Sequence, residues 1–308
     1  MRQVNLTKKN SLIELYRFLF ALWVVYYHGY FFVQTGHFNH GYLSVEFFFL
    51  LNGFFVERTM RVYRERPLFQ GLFSFTWKRL KTLDFTFVVG VIVFVAYRIV
   101  FPDSPEEPLF GFLWYIPQML LSFAVVYLIT KFIKSQKINA VVLFLVFALS
   151  YSLNWTVLDN WGLLRGIGCV SFGAFLAKIP KINLKYKKVN LGAIIAVVIF
   201  VATVVCAYLY KTSLIVDYVS ICVLFPALIY FSNCVEFSFK PFNHLGAISF
   251  GIYIYQIIIR FIHKLKWITN PTYLCLILFA LVLIDYTIKL FVNKKTKQKY
   301  MLKENMQN

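Results

Sequence analysis

The chain has 308 residues, of which 60% are hydrophobic and only 15% charged, and its formal net charge is +19. Soluble domains are about 45–50% apolar and about 25% charged, so this composition excludes an ordinary soluble domain. The basic residues stand between long apolar runs, which excludes a folded nucleic-acid-binding surface as the meaning of the positive charge. Runs of about 20 apolar residues, enough to cross a bilayer core about 30 Å thick, recur along the chain. The sequence therefore predicts an all-α, polytopic integral membrane helix bundle.

About ten membrane-spanning helices are predicted in chain order. They cover residues 11–33, 41–56, 83–101, 109–130, 139–154, 161–177, 191–210, 213–232, 246–263 and 271–293. This divides the chain into an N-terminal segment at 1–10, a transmembrane domain at 11–293 and a basic tail at 294–308.

The distribution of Lys and Arg predicts the orientation of these spans. Alternate connections hold 24 basic residues on one side of the membrane and 3 on the other, and five more lie within the spans. Basic residues favour the cytoplasmic side, so the N- and C-termini are both predicted to be cytoplasmic. The same basic segments would attract anionic membrane lipid.

Ionisable side chains within spans are costly and mark candidate functional sites. Three of the basic ones, Arg98, Arg260 and Lys289, lie near helix ends, where long side chains can reach the membrane surface. Lys289 is also predicted to pair with Asp285, which lies four residues earlier on the same helix face. A structural role is therefore favoured for all four residues.

Arg17, His28 and Glu46 are instead candidates for a catalytic role. Arg17 and His28 are eleven residues apart, so they share one face of the first helix, about 16 Å apart along its axis. The first two helices are predicted to form an antiparallel hairpin. Two residues at the same membrane depth then have numbers that add to about 74. His28 is therefore predicted to be level with Glu46, and Arg17 with Glu57. A histidine beside a carboxylate suits a general base and its orienting group. The alternative is that His28 is an interfacial histidine and that Glu46 only forms a hydrogen bond with it.

Metal ligation is not predicted. The five cysteines form no CxxC pair and fall mostly within apolar runs. His37 and His40 lie in the connection after His28, but no carboxylate or cysteine accompanies them there.

Two motifs on the first hairpin carry a family resemblance. Glu14-Leu15-Tyr16-Arg17, followed by ten residues and His28, resembles the Arg-x10-His signature of the membrane-bound acyltransferase 3 family, including the acidic residue three before the arginine. The stretch from Gly41 through Glu46 to Asn52-Gly53-Phe54 is similar to the family pattern Gly-Val-Asp-x-Phe-Phe-x-x-Ser-Gly-Phe. Glu46 stands there in place of aspartate, and Asn52 in place of serine.

Weaker similarities lie further along the chain. They comprise Leu113-Trp114-Tyr115-Ile116, Arg165 with Phe172-Gly173, and the stretch from Ser249 to Tyr255, after which Gln256 replaces the usual histidine. The family also often shows an Arg-x-x-Arg pair before the third span, thought to help bind the acyl donor. Here Thr82 follows Arg79 at that spacing, and Lys78 and Lys81 supply further positive charge.

The resemblance implies an integral-membrane O-acyltransferase of the plasma membrane. Its donor would be acetyl-CoA or another short acyl-CoA from the cytoplasm, and its acceptor a hydroxyl of a cell-surface or lipid-linked carbohydrate. His28 would be the general base, Glu46 its orienter and Arg17 the cation on the donor side, with Glu14 and Asn52 in support. Donor binding would involve Arg17, Lys78, Arg79, Lys81 and Arg165, without a metal.

The alternative function is that of a transporter or flippase for a glycolipid or polysaccharide intermediate, because buried polar residues also mark substrate pathways. The sequence shows no inverted repeat and no Gly- or Pro-broken pair of spans in corresponding halves, which are features of many transporters. The enzymatic interpretation is therefore preferred.

Overall fold

The structure is a computed structural model, and it describes residues 10–28, 39–81, 84–102, 114–156, 162–186, 189–210 and 214–305. Within these ranges the chain is helical apart from short turns and one small antiparallel ladder. The helices are α1 (Ser11–Tyr27), α2 (Leu43–Tyr63), α3 (Leu68–Lys81), α4 (Asp84–Val100), α5 (Tyr115–Phe132), α6 (Gln136–Thr156), α7 (Gly162–Leu176), α8 (Leu191–Leu209), α9 (Leu214–Val219), α10 (Phe225–Asn233), α11 (Lys240–Lys264) and α12 (Pro271–Asn305).

Three short elements complete the description. A 3-10 turn at Asn39–Tyr42 precedes α2, and a π-helical turn at Ser220–Leu224 joins α9 to α10. Strands β1 (Lys185–Tyr186) and β2 (Val189–Asn190) form the ladder, with Lys185 opposite Asn190.

The structure supports an all-helical membrane protein. Within the described ranges, six helical segments are long and apolar enough to cross a membrane, or seven if α3 and α4 together form one span. The three other predicted spans correspond to α1, α2 and α7, which are short or carry several charged residues. The predicted count of about ten therefore remains a prediction.

The sequence analysis missed α3, which lies in the predicted connection between the second and third spans. Gly71 and Phe75 face the core, whereas Phe69 and Phe73 on the other side are 84% and 69% exposed. Its apolar residues are interrupted by polar and basic ones, so its sequence lacks the continuous apolar run of a span.

Helices α2 and α7 pack closely against each other. The widest helix contact in the described part of the chain joins α2 to α7. At their crossing, a Cβ added to Gly53 or to Gly173 would collide with backbone of the other helix, so only glycine permits this approach.

Three pairs of helices in contact run parallel. Across α2 and α7, Glu46 binds Arg165 and Glu57 binds Lys178, at nearly constant sequence separations of 119 and 121. The contacts between α2 and α5, and between α1 and α11, follow the same rule. These directions agree with the alternation that the ten-span prediction requires of these helices.

Candidate active site

A cavity of about 610 Å³ lies between α1, α2, α3, α5, α11 and α12. Its wall on α2 includes Val45, Phe48, Asn52 and Phe55, which are three or four residues apart and share one helix face. At 1.5 Å per residue this face is about 15 Å long. The cavity is therefore elongated along α2.

The charged side chains that line the cavity are mostly basic. Arg17 comes from α1, Arg79 from α3 and Lys289 from α12, and Glu14 is the acidic member of this set. Charges interact more strongly in a protein interior than in water. The cavity thus suits an anionic ligand.

Glu14 and Arg17 are held in place by the start of α1. The Asn10 side chain caps the helix, because its Oδ1 accepts hydrogen bonds from the backbone N–H groups of Leu12 and Ile13. One turn later, Arg17 Nη1 donates to Glu14 Oε2 at 2.9 Å. Gly246 of α11 packs so closely on the Glu14 carboxylate that a Cβ would collide with it. The structure therefore places Glu14 and Arg17 together on the cavity wall.

Arg79 and Lys289 bring charge to the cavity from two other helices. Arg79 Nη2 donates to Thr59 Oγ1 at 2.8 Å. Lys289 Nζ lies 2.8 Å from Asp285 Oδ2, which confirms the predicted pair, and it also donates to Thr86 Oγ1. The sequence interpretation missed that Lys289 lines a cavity.

Both of the predicted donor-binding lysines lie outside the cavity. Lys78 and Lys81 are exposed on α3, and neither lines the cavity. Lys81 Nζ lies 5.4 Å from the centre of the Trp77 ring, which holds it on the outer face of α3. Thr82 lies outside the described residues.

Glu46 pairs with Arg165. Arg165 Nε donates to Glu46 Oε1 at 2.6 Å, and Arg165 Nη2 lies close to the same oxygen. Glu46 is 1% exposed and Arg165 is 8% exposed, so this ion pair is buried between α2 and α7. The structure therefore separates Arg165 from the cavity residues with which it was predicted to bind the donor.

The predicted depth of Glu46 relative to His28 is wrong. Phe20 stacks on Phe47 with ring centres 4.1 Å apart, and Gly41 packs against Tyr27, so residue numbers at equal depth add to about 67 rather than 74. Glu46 is then level with the middle of α1, about 10 Å along the axis from His28. The prediction extended the first helix to residue 33 and began the second at residue 41. Residues 29–38 lie outside the described part of the chain, and the 3-10 turn that follows them packs onto the end of α1.

The same shift applies to Arg17, which is level with Leu50 rather than with Glu57. Glu57 Oε1 instead accepts a hydrogen bond from Lys178 Nζ at 2.6 Å. This second ion pair, of which Glu57 is buried and Lys178 half-buried, joins α2 to the chain after α7.

His28 lies directly after α1. Its backbone N–H donates to the Val24 carbonyl at 3.2 Å, and its ring meets the Tyr27 ring edge-on with centres 5.5 Å apart. Arg260, on α11, is close enough to His28 for an electrostatic interaction. His28 is not among the side chains that line the cavity.

His40 joins the connection before α2 to α9. Its Nδ1 lies 2.9 Å from Asp217 Oδ1, its Nε2 donates to the Tyr210 carbonyl at 2.6 Å, and Tyr42 Oη donates to Asp217 Oδ2. Because both ring nitrogens face acceptors, the protonated imidazolium fits best. The hydrogen bond with Asp217 accordingly raises the pKa of His40 above its usual value.

Asn52 and three polar residues of the weaker motifs also line the cavity. Asn52 Nδ2 donates to Tyr115 Oη at 2.6 Å, and Ser249 and Tyr253 contribute from α11. The motif similarities contained Tyr115, Ser249 and Tyr253, but spacing gave them no role. Gln256 is buried, and its Nε2 donates to the Tyr253 carbonyl at 2.8 Å.

The model of the acyltransferase 3 family, described as an acyltransferase domain, matches residues 10–289. The matched range contains the whole described lining of the cavity and the buried pair of Glu46 and Arg165. No curated protein and no solved structure matches the chain.

Proposed function

Because the chain belongs to the acyltransferase 3 family of membrane acyltransferases, we propose that it is an O-acetyltransferase that takes its acyl group from acetyl-CoA. The acceptor in this proposal is a hydroxyl of a cell-surface or lipid-linked carbohydrate at the plasma membrane. The observation that carries the proposal is the elongated cavity with basic side chains from three helices.

The cavity supports a phosphate-bearing donor such as coenzyme A. Arg17, Arg79 and Lys289 would bind its phosphates, and the planar arginine groups favour two-point contact with phosphate oxygens. The exposed Lys78 and Lys81 would attract the anionic donor before it enters. Arg165 has no donor contact in this proposal, because its partner is Glu46.

The reacting end would lie at His28. An imidazole nitrogen takes the proton of the acceptor hydroxyl, and the hydroxyl oxygen attacks the thioester carbonyl carbon. The carbon–sulfur bond then breaks, and the thiolate receives the proton from the imidazolium, which yields an ester and free coenzyme A. Val45, at the end of the α2 wall, is about 9 Å in depth from His28. The donor arm would extend over that distance.

Turnover of the purified protein tests the proposal. In lipid nanodiscs with acetyl-CoA and lipid-linked glycan, the wild type is expected to release coenzyme A and to form an acetylated glycan. His28→Ala should reduce the rate by about 10²–10⁴, the usual contribution of a general base. His244→Ala, at an exposed histidine of α11, is the control and should retain normal turnover.

Two results would contradict the proposal. Near-normal transfer by His28→Ala would remove His28 from the reaction. Glycolipid movement across the bilayer without any acyl donor, combined with no ester formation, would favour the transporter instead. Mass spectrometry of surface glycans from cells with and without the gene would identify the acceptor.

A further inference from the structure

Arg260 is a buried charge near the end of α11. The sequence interpretation placed it at the membrane surface, yet only 8% of the residue is exposed. Burial of a charged group is costly unless other groups compensate it or function requires it. Its position therefore differs from that of an arginine that extends to the membrane surface.

The parallel packing of α1 and α11 places Arg260 at the depth of His28. Ser11 Oγ donates to Asn243 Oδ1 at 3.0 Å, and Glu14 packs on Gly246, and both pairs are 232 residues apart. The same separation brings residue 260 opposite residue 28. Arg260 and His28 are accordingly close enough for an electrostatic interaction.

The other cations of the candidate site lie too far from His28 to stabilise an oxyanion beside it. Arg17 is about 16 Å from His28 along the axis of α1, whereas a group that stabilises an oxyanion must come within about 3 Å of it. Arg165 is bound to Glu46, about 10 Å from the depth of His28. A cation at the depth of His28 would therefore have to come from another helix.

We propose that Arg260 is a catalytic residue that binds the oxyanion of the acyl-transfer reaction. This inference rests on the proposed function. When the acceptor oxygen attacks the thioester carbonyl carbon, the π electrons of the carbonyl move to its oxygen, and the Arg260 guanidinium stabilises that negative charge. The electrons return as the carbon–sulfur bond breaks, and the leaving thiolate takes the proton from His28.

Steady-state kinetics with acetyl-CoA test the role of Arg260. Arg260→Gln should lower kcat by about 10²–10³, the usual cost of one lost oxyanion donor. The KM for acetyl-CoA should change by less than about twofold, because the interaction exists only in the transition state. Arg260→Lys, which keeps the charge, should retain more activity than Arg260→Gln. The control is Arg98→Gln, a half-buried arginine near the end of α4, and it should leave kcat unchanged.

Chemical rescue separates catalysis from structure. Added guanidinium ion should restore part of the kcat of Arg260→Ala at concentrations that leave the wild type unaffected. A purely structural role predicts a lower melting temperature and no rescue, either by guanidinium or by lysine. That result would overturn the inference, as would a normal kcat in Arg260→Gln. If the wild type transfers no acyl group from acetyl-CoA, the proposed function itself fails.

Discussion

The buried pair of Glu46 and Arg165 allows a structural role to be separated from a catalytic one. Glu46→Gln would leave the Arg165 guanidinium in the same buried place without its negative partner. Removal of one member of a buried ion pair usually costs about 3–5 kcal/mol. Because the pair joins α2 to α7 at their widest contact, we expect this loss in the free energy of unfolding of the whole bundle.

Unfolding of the purified protein in one detergent measures the effect. The melting temperature of Glu46→Gln should fall on the order of 10 °C. Arg165→Met in the same chain should restore much of the loss, because an apolar replacement of the pair leaves no buried charge. Glu65→Gln, at an exposed position after α2, is the matched control and should change stability by less than about 0.5 kcal/mol.

The refuting result is a combination of two measurements. If Glu46→Gln melts like the wild type but transfers acyl groups at a strongly reduced rate, Glu46 acts in catalysis and the structural reasoning is wrong. A destabilised variant whose folded fraction turns over normally would support the reasoning.

Three further predictions concern other parts of the molecule. Lys289→Gln should raise the KM for acetyl-CoA about tenfold with little change in kcat, because it removes one charge-assisted phosphate contact; Lys137→Gln, at an exposed lysine, should change neither value. The ion pair of His40 with Asp217 should stabilise the protein fully below about pH 6.5 and fade as the pH rises through the raised pKa of His40. Melting temperatures measured over that range should fall in the wild type and stay flatter in His40→Gln. Gly173→Ala should cost about 1–3 kcal/mol by forcing α2 and α7 apart, and unaltered unfolding would contradict the close approach.

Spacing within one helix predicted side-chain pairs well. The predicted pair of Asp285 with Lys289 forms, and Glu14 pairs with Arg17 in the same way, because residues three or four apart on a helix lie on one face. Apolar runs likewise located the long helices.

Relations between helices were harder to predict. The depth of Glu46 relative to His28 depended on the connection between α1 and α2, whose length alone does not determine how the 3-10 turn packs. Arg165 was predicted to bind the donor from the family resemblance, and the sequence does not show that its partner, Glu46, lies 119 residues away. Arg17 and Arg79 were both predicted to bind the donor by comparison with the family, and both line the cavity.

The parallel contact between α1 and α11 has a consequence for biosynthesis. The two helices are about 230 residues apart, so at about 5–20 residues per second a ribosome completes α11 on the order of 10–50 s after α1. During that interval α1 lacks the helix against which it packs most extensively. The bond between Arg17 and Glu14 is made within the helix itself, and it neutralises both charges before Gly246 is synthesised. A nascent chain that stops before Lys240 would retain that neutralisation but leave the packing face of α1 uncovered, and such a chain should be a substrate for membrane quality control.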